Sequence, residues 1–281
     1  MNLTDPEVIR YLLFKHKFNL SRSMGQNFLV ADEIPGKIAD SAHLDSESGV
    51  LEIGPGIGCL TRELSRRAGK TVAIELDSGL KCILSETLED CENAEVMFTD
   101  IMKTDLNALI SERFDGLRPC VCANLPYNIT TPVITKLLEA DLFDTVTVMI
   151  QKEVAERICA KAGTPEYGAF TLFIQWHCTV EKLFDVGPEC FMPRPKVTSS
   201  VIRLKKRQER PCTVNDEAKL FKIIRASFNM RRKTLVNGLK SIYPGRSKEE
   251  LAQVLSLCGL DENIRGETLT IEEFAAVSDR L

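Results

Sequence analysis

Asn124-Leu125-Pro126-Tyr127 is the segment of this 281-residue chain best suited to chemistry on a nucleobase. The exocyclic amine of adenine is a poor nucleophile because its lone pair is delocalised into the ring. Two neutral acceptors set against its two N–H bonds would favour a pyramidal nitrogen with the lone pair aimed at an electrophile. The side-chain oxygen of Asn124 is one such acceptor. The backbone carbonyl of Pro126, held in a fixed direction by the ring, is the expected second. Such a site works by orientation and by stabilising developing positive charge, so it needs no strong base. Tyr127 offers an aromatic face on which a displaced base can stack. The structural alternative is an ordinary Asn-x-Pro turn with Tyr127 in the core.

Three earlier segments make a nucleoside site. Val50–Ile53 runs into Gly54-Pro55-Gly56-Ile57-Gly58, a glycine-rich turn between a strand and a helix that lets backbone approach a ligand closely. A dinucleotide fingerprint would need glycine at position 59, where this chain has Cys59. The next strand, Thr71–Ile74, ends in Glu75, whose carboxylate can accept from both hydroxyls of a ribose. The third, Ala94–Phe98, ends in Thr99-Asp100, where an acid can accept from an adenine amino group. Ligands of open parallel sheets bind outside the carboxyl ends of the strands, so these three ends converge on one crevice. Taken singly, a glycine trio or an acid at a strand end is more often a turn or a helix cap.

The elements that position these residues follow from periodicity. Thr4-Asp5-Pro6 predicts a capped helix to about Lys17, and Asp32 a second to about Ala42. Strands are expected at Val50–Ile53, Thr71–Glu75, Ala94–Phe98, Cys120–Ala123 and Thr145–Ile150, with helices near 59–68, 78–88 and 131–140. This alternation implies a parallel sheet covered on both faces. A helix over 151–160, an apolar segment 169–178 and strand-like runs Cys178–Val186 and Thr198–Lys205 complete the pattern. Helical periodicity then fills 215–228, 231–240, 247–258 and 271–281. The expected organisation is a catalytic domain 1–206 and a small all-α domain 207–281.

The composition restricts the partners. No run approaches the roughly 18–20 apolar residues of a membrane span, and the N-terminus lacks the pattern of a signal peptide. The ten cysteines contain no C-x-x-C, and they read as buried thiols in a reducing cytoplasm. His16, His43 and His177 are scattered, so no metal site is expected. Net charge is −4, yet residues 191–240 hold fourteen Lys/Arg against three acids. Such asymmetry suits a face that meets a polyanion, with binding that weakens steeply in salt.

The E-x-G-x-G-x-G turn resembles the first motif of class I S-adenosylmethionine methyltransferases. Asn124-Leu125-Pro126-Tyr127 resembles the N-[LI]-P-[FY] motif of adenine-N6 methyltransferases acting on ribosomal RNA. Gly25-Gln26-Asn27-Phe28-Leu29, the Phe191–Ser199 segment (F-x-P-x-P-K-V-x-S) and Arg231-Arg232-Lys233-Thr234-Leu235 agree with the same source, in order, from about residue 10 to the end. The chain is most similar to the KsgA/RsmA family of small-subunit ribosomal RNA adenine dimethyltransferases. The resemblance implies a class I, Rossmann-like methyltransferase sheet with a C-terminal helical domain. It implies S-adenosylmethionine as cofactor, held by Asn27, Leu29, Gly54, Gly56, Glu75, Asp100 and Asn124. It further implies Asn124 and Pro126 at the target amine, with Tyr127 and Phe191 bracketing the target base. Arg194, Lys196, Arg231, Arg232 and Lys233 would meet RNA. The implied partner is small-subunit ribosomal RNA in a near-mature 30S particle, bound by a cytoplasmic monomer without metal. Arg194, where many relatives have proline, and Val236 and Gly238 in the following helix blur the RNA footprint. The alternatives are a macrolide-resistance methylase acting on large-subunit RNA, a non-catalytic ribosome-assembly factor, and a nicotinamide oxidoreductase.

Overall fold

A computed structural model describes residues 1–20 and 26–281; Gly25 of the Gly25–Leu29 segment lies outside the described residues. The elements in chain order are α1 (Pro6–Lys15), β1 (Phe28–Leu29), α2 (Glu33–Ser41), β2 (Ser48–Ile53), α3 (Cys59–Ser65), β3 (Lys70–Glu75), α4 (Lys81–Thr87), β4 (Ala94–Phe98), α5 (Leu106–Arg113), β5 (Arg118–Asn124), α6 (Thr130–Ala140) and β6 (Thr145–Gln151). They continue with α7 (Lys152–Cys159), α8 (Ala169–His177), β7 (Cys178–Val186), β8 (Phe191–Met192), β9 (Ser199–Lys206), α9 (Glu217–Asn229), α10 (Leu235–Ile242), α11 (Lys248–Leu257) and α12 (Ile271–Arg280). Among the described residues no helix is long and apolar enough to cross a membrane.

The main sheet has strand order β4-β3-β2-β5-β6-β9-β7. The β4, β3, β2, β5 and β6 pairings are parallel, and β9 joins β6 antiparallel. The chain starts the sheet at β2, steps outward through β3 and β4, then returns to add β5 on the other side. The order therefore reverses between β2 and β5, and the crevice at their carboxyl ends is the natural ligand site. Strand β2 is buried along its whole length, as expected of a central parallel strand covered on both faces. A separate two-stranded ribbon pairs Phe28 with Met192 and Leu29 with Phe191.

The helix starts are set by short polar side chains. Asp5 caps α1 by accepting from the Glu7 amide. Asp32 departs from the expected cap: its carboxylate accepts from the Thr4 hydroxyl at 2.9 Å and ties the N-terminus to α2 instead. Helix α5, absent from the periodicity reading, is capped by Asp105 and buries only Leu106 and Leu109, too few apolar positions to show as a stripe.

Two compact units emerge, Met1–Ala155 with Glu181–Lys206 and Glu156–Val180 with Arg207–Leu281. The second unit thus includes residues 156–180, which the sequence placed in the first domain. Helix α8 explains the difference. Leu172 and Trp176 join one core with Leu220, Phe221, Leu239 and Phe274. The Trp176 and Phe221 rings meet edge to face, 6.1 Å apart. Periodicity marks an apolar helix but not which core it joins. All ten cysteines are free thiols.

Candidate active site

The cleft at the switch point is lined by the ends of four parallel strands. Each loop is tied to the neighbouring strand as it leaves the sheet. Gly54 N–H donates to Ile74 O at 2.9 Å, Thr99 N–H to Glu75 O at 3.0 Å, and Leu125 N–H to Met149 O at 3.1 Å. Gly54, Glu75, Asp100 and Asn124 are thereby held on one rigid rim and all line the cleft. Gly54 and Gly56 have φ of +73° and +59°, in the region that favours glycine. A Cβ on Gly54 would meet the Pro126 ring at 3.5 Å, and one on Gly56 the Phe28 ring at 3.1 Å. The turn is therefore a backbone cradle walled by Phe28 on one side and by the tetrapeptide on the other.

Glu75 is buried, with 7% exposure. Its Oε1 accepts from the Asp77 amide at 2.8 Å and its Oε2 from the Gly56 amide at 3.4 Å. Burial pushes its pKa above the ordinary carboxylate value, and the two amides offset only part of that. The carboxylate must be ionised to accept from two ribose hydroxyls. Cofactor affinity should therefore fall as pH drops through this raised pKa, at a higher pH than for a free glutamate. Glu75→Gln should bind cofactor roughly 10- to 100-fold more weakly and with a flatter acid limb. Calorimetric titration from pH 5 to 8 checks this; an acid limb shared by parent and variant would assign it elsewhere.

Asp100 is braced by the Met102 amide at 2.9 Å. Its loop is gripped from α6, where Lys136 Nζ donates to Met102 O at 3.0 Å and Thr104 O at 2.7 Å. Ile74, Leu76, Leu80, Ile101 and Met102 give the cleft apolar walls around these acids. An apolar slot with one buried carboxylate and another at its rim fits the adenosine half of the expected cofactor.

Asn124 ends β5, and among the described residues its side chain makes no hydrogen bond, so its amide oxygen is available to a ligand. Pro126 departs from its expected role. Its carbonyl already accepts from the Ile129 amide and the Thr130 hydroxyl, each at 3.2 Å, because the tetrapeptide turns directly into α6. Among the described residues nothing donates to the carbonyl of Leu125, which also lines the cleft. The Leu125 carbonyl is thus left open, while the bonds to Ile129 and Thr130 lock the peptide that follows it. The Tyr127 ring also lines the cleft, and its hydroxyl is 2.7 Å from Ser199 Oγ at the start of β9. Ser199 is fully buried, so it fixes the ring edge from behind.

Phe191 and Leu29 are not at the cleft. Both are interior, at 3% and 1% exposure, packed with Ile34, Met149 and Val201. Adjacent residues of a strand face opposite ways, and the Leu29–Phe191 pairing turns both inward while Phe28 and Met192 share the other face. Phe28 and Asn27 line the cleft in their place.

Of the RNA candidates, Arg194 and Lys196 are exposed between β8 and β9 on the first unit. Arg231, Arg232 and Lys233 are exposed on the second, where with Asn229, Asn237 and Lys240 they line a basic hollow. Arg231 is partly committed, donating to Glu267 at 2.8 Å and to Pro165 O. Phe28, Leu125, Thr130, Lys136 and Ser199 are the positioning residues that sequence reasoning missed. Phe28, Leu125 and Ser199 had a signal, since each lies in one of the quoted segments, but Ser199 acts on Tyr127, 72 residues away.

A profile of the ribosomal RNA adenine dimethylase family matches residues 17–281. The ribosomal RNA small subunit methyltransferase A of Geobacillus sp. (strain WCH70) is 46% identical over 284 residues, covering 100% of this chain and 98% of that protein. A dimethyladenosine transferase from Plasmodium falciparum superposes with a TM-score of 0.74 at 28% identity, over 89% of this chain and 95% of that one. The 23S rRNA methyltransferase ErmE superposes with a TM-score of 0.69 at 26% identity, over 90% and 99% respectively. The sheet order, the glycine cradle and the strand-end residues are those of a Rossmann-like methyltransferase, and with the match over almost its whole length the chain belongs to the ribosomal RNA adenine dimethylase family.

Proposed function

We propose that this chain uses S-adenosylmethionine to dimethylate the exocyclic N6 of two adjacent adenosines in the 3′-terminal hairpin of small-subunit ribosomal RNA. The observation that carries the reading is the pairing of two free neutral acceptors, the Asn124 amide oxygen and the Leu125 carbonyl, at the strand end next to the glycine cradle. Small-subunit specificity is supported by the 46% identical relative. The likeness to ErmE is the specific reason to keep a large-subunit substrate as the second reading.

Glu75 would hold the cofactor ribose, Asp100 its adenine, and the Gly54–Gly56 backbone and Asn27 the methionine end. The cofactor supplies an electrophilic methyl group on sulfonium. Asn124 and Leu125 accept from the two N–H bonds of the target amine, turn its lone pair towards that methyl and stabilise the positive charge that develops on nitrogen. Tyr127, fixed by Ser199, stacks on the base and excludes water. Once the methylated ammonium has lost a proton to solvent, one N–H remains for one acceptor, so the second transfer uses the same groups. The exposed cations Arg194, Lys196, Arg232 and Lys233 bind phosphate, and a monomer acts in the cytoplasm on a near-mature small-subunit particle.

The deciding experiment is transfer of labelled methyl to small subunits lacking dimethyladenosine, with large subunits in parallel. Label recovered as dimethyladenosine from small subunits is expected. Label confined to large-subunit RNA would establish the second reading, and tight subunit binding without label would leave an assembly factor.

A further inference from the structure

Helix α1 buries one stripe and leaves an aromatic face in solvent. Ile9 and Leu12 are fully buried, whereas Tyr11 is 56% and Phe14 85% exposed. At about 100° per residue, Phe14 falls opposite the Ile9/Leu12 stripe and Tyr11 beside it, so the two rings share the outer face. The stripe alone suffices to dock the helix on Leu80, Ile83 and Leu84. The outer rings add nothing to that core.

The segment that carries them is basic, with Glu7 and Glu86 as the acids it meets. From Val8 to Ala31 the chain holds four Lys/Arg and no Asp or Glu, although the whole protein carries −4. On the surface of α1 and its end, Arg10 pairs with Glu7, while Lys15 and His16 both meet Glu86 of α4. Lys17 is exposed and makes no ion pair with a described residue. Lys15 Nζ also lies 5.7 Å from the Tyr11 ring centroid.

The helix is fixed to the rim of the cleft. Phe18, just past its end, packs on Gly79, where a Cβ would come within 3.1 Å of the ring. Gly79 belongs to the Asp77–Leu80 turn. Asp77 accepts from Gln26 at 2.9 Å and donates its amide to Glu75, and Leu80 lines the cleft.

We propose that the Tyr11/Phe14 face is a stacking platform for unpaired nucleotides of the ribosomal RNA substrate, with Arg10 and Lys17 meeting the flanking phosphates. Exposed aromatics interleaved with cations are the chemistry of single-strand binding, in which bases stack on rings while cations follow the backbone. Two rings on one short helix are far from the roughly 800 Å² per partner of a stable protein interface, which argues against a second copy as occupant. The inference rests on the proposed function, since it takes the RNA of that reaction as the ligand.

The test measures binding of small subunits lacking dimethyladenosine by the parent chain and by Phe14→Ala, Phe14→Leu, Phe14→Trp and Tyr11→Ala, with cofactor affinity and melting temperature as controls. Phe14→Ala and Phe14→Leu should each weaken binding roughly tenfold, and Tyr11→Ala comparably, while Phe14→Trp retains it and the controls do not move. Phe14→Leu binding as tightly as the parent would show that any apolar group serves, and would overturn stacking. All four variants matching a parent that binds and methylates would overturn the platform alone. A parent that neither binds nor methylates these subunits would instead defeat the functional reading.

Discussion

Asn124→Ala is expected to slow methyl transfer by about 10²–10³-fold while leaving cofactor affinity unchanged, the loss that follows removal of one preorganised electrostatic partner from a buried reacting centre. Among the described residues the side chain makes no hydrogen bond, so its removal breaks none there. It closes the β5 end beside the cradle without bearing on the Glu75 and Asp100 contacts that would hold the nucleoside. The loss should therefore fall on kcat, because the amine is still bound but no longer turned. Single-turnover transfer to small subunits, paired with calorimetric cofactor binding, separates the two. A variant that lost cofactor affinity in step with rate would place Asn124 in the cofactor site and remove it from the amine.

Glu52→Gln should give the largest effect on stability, and one that grows with pH. Glu52 is 1% exposed on β2, directly before the glycine turn, and its Oε2 has no hydrogen-bond partner among the described residues. Burial, with the charge of nearby Glu75 adding to it, pushes its pKa up from 4.5 to about 8. Between those values the folded chain holds a proton that the unfolded chain has released. Stability contributed by this group is therefore present at low pH and declines as pH rises from about 4.5 to about 8. At about 1.4 kcal/mol per pH unit the ceiling on that loss is roughly 5 kcal/mol. Glutamine stays neutral throughout, so the variant should melt close to the parent at pH 5 and several degrees above it at pH 8.5. Melting curves that remain parallel from pH 5 to 9 would show that the carboxyl ionises normally. The thiols of Cys59 and Cys122, each raised chiefly by burial, stay protonated over this range.

The two variants probe opposite sides of one turn. Asn124 faces the cleft and is free to act, while Glu52 lies behind the glycines. A protonated carboxyl there tolerates the dry interior that keeps the backbone cradle rigid. Side chains that look alike in sequence, an acid before the glycines and an acid twenty residues later, thus have unlike tasks. The difference comes from position along the strand: β2–β3 register turns both acids to the same side of the sheet, but Glu52 lies inside β2 while Glu75 ends β3 at the cleft.

What the sequence determined by itself is the part of the site carried by strand ends. Strand–helix alternation is a local pattern, and in a parallel sheet it brings successive carboxyl ends together. Gly54, Glu75, Asp100 and Asn124 could therefore be placed at one crevice from their spacing alone, and the structure lines the cleft with all four. Whatever depended on a partner distant in sequence was decided only by the tertiary structure. The faces of Leu29 and Phe191 depend on the pairing of two-residue strands more than 160 positions apart, and a one-residue shift would have turned both outward. The direction of the Pro126 carbonyl depends on how α6 begins, because Ile129 and Thr130 claim it and leave the Leu125 carbonyl open. Residues 156–180 went to the helical unit because Trp176 and Leu172 found their volume filled there, by Phe221 and its neighbours. Local periodicity records which residues avoid water; only close packing records what they meet.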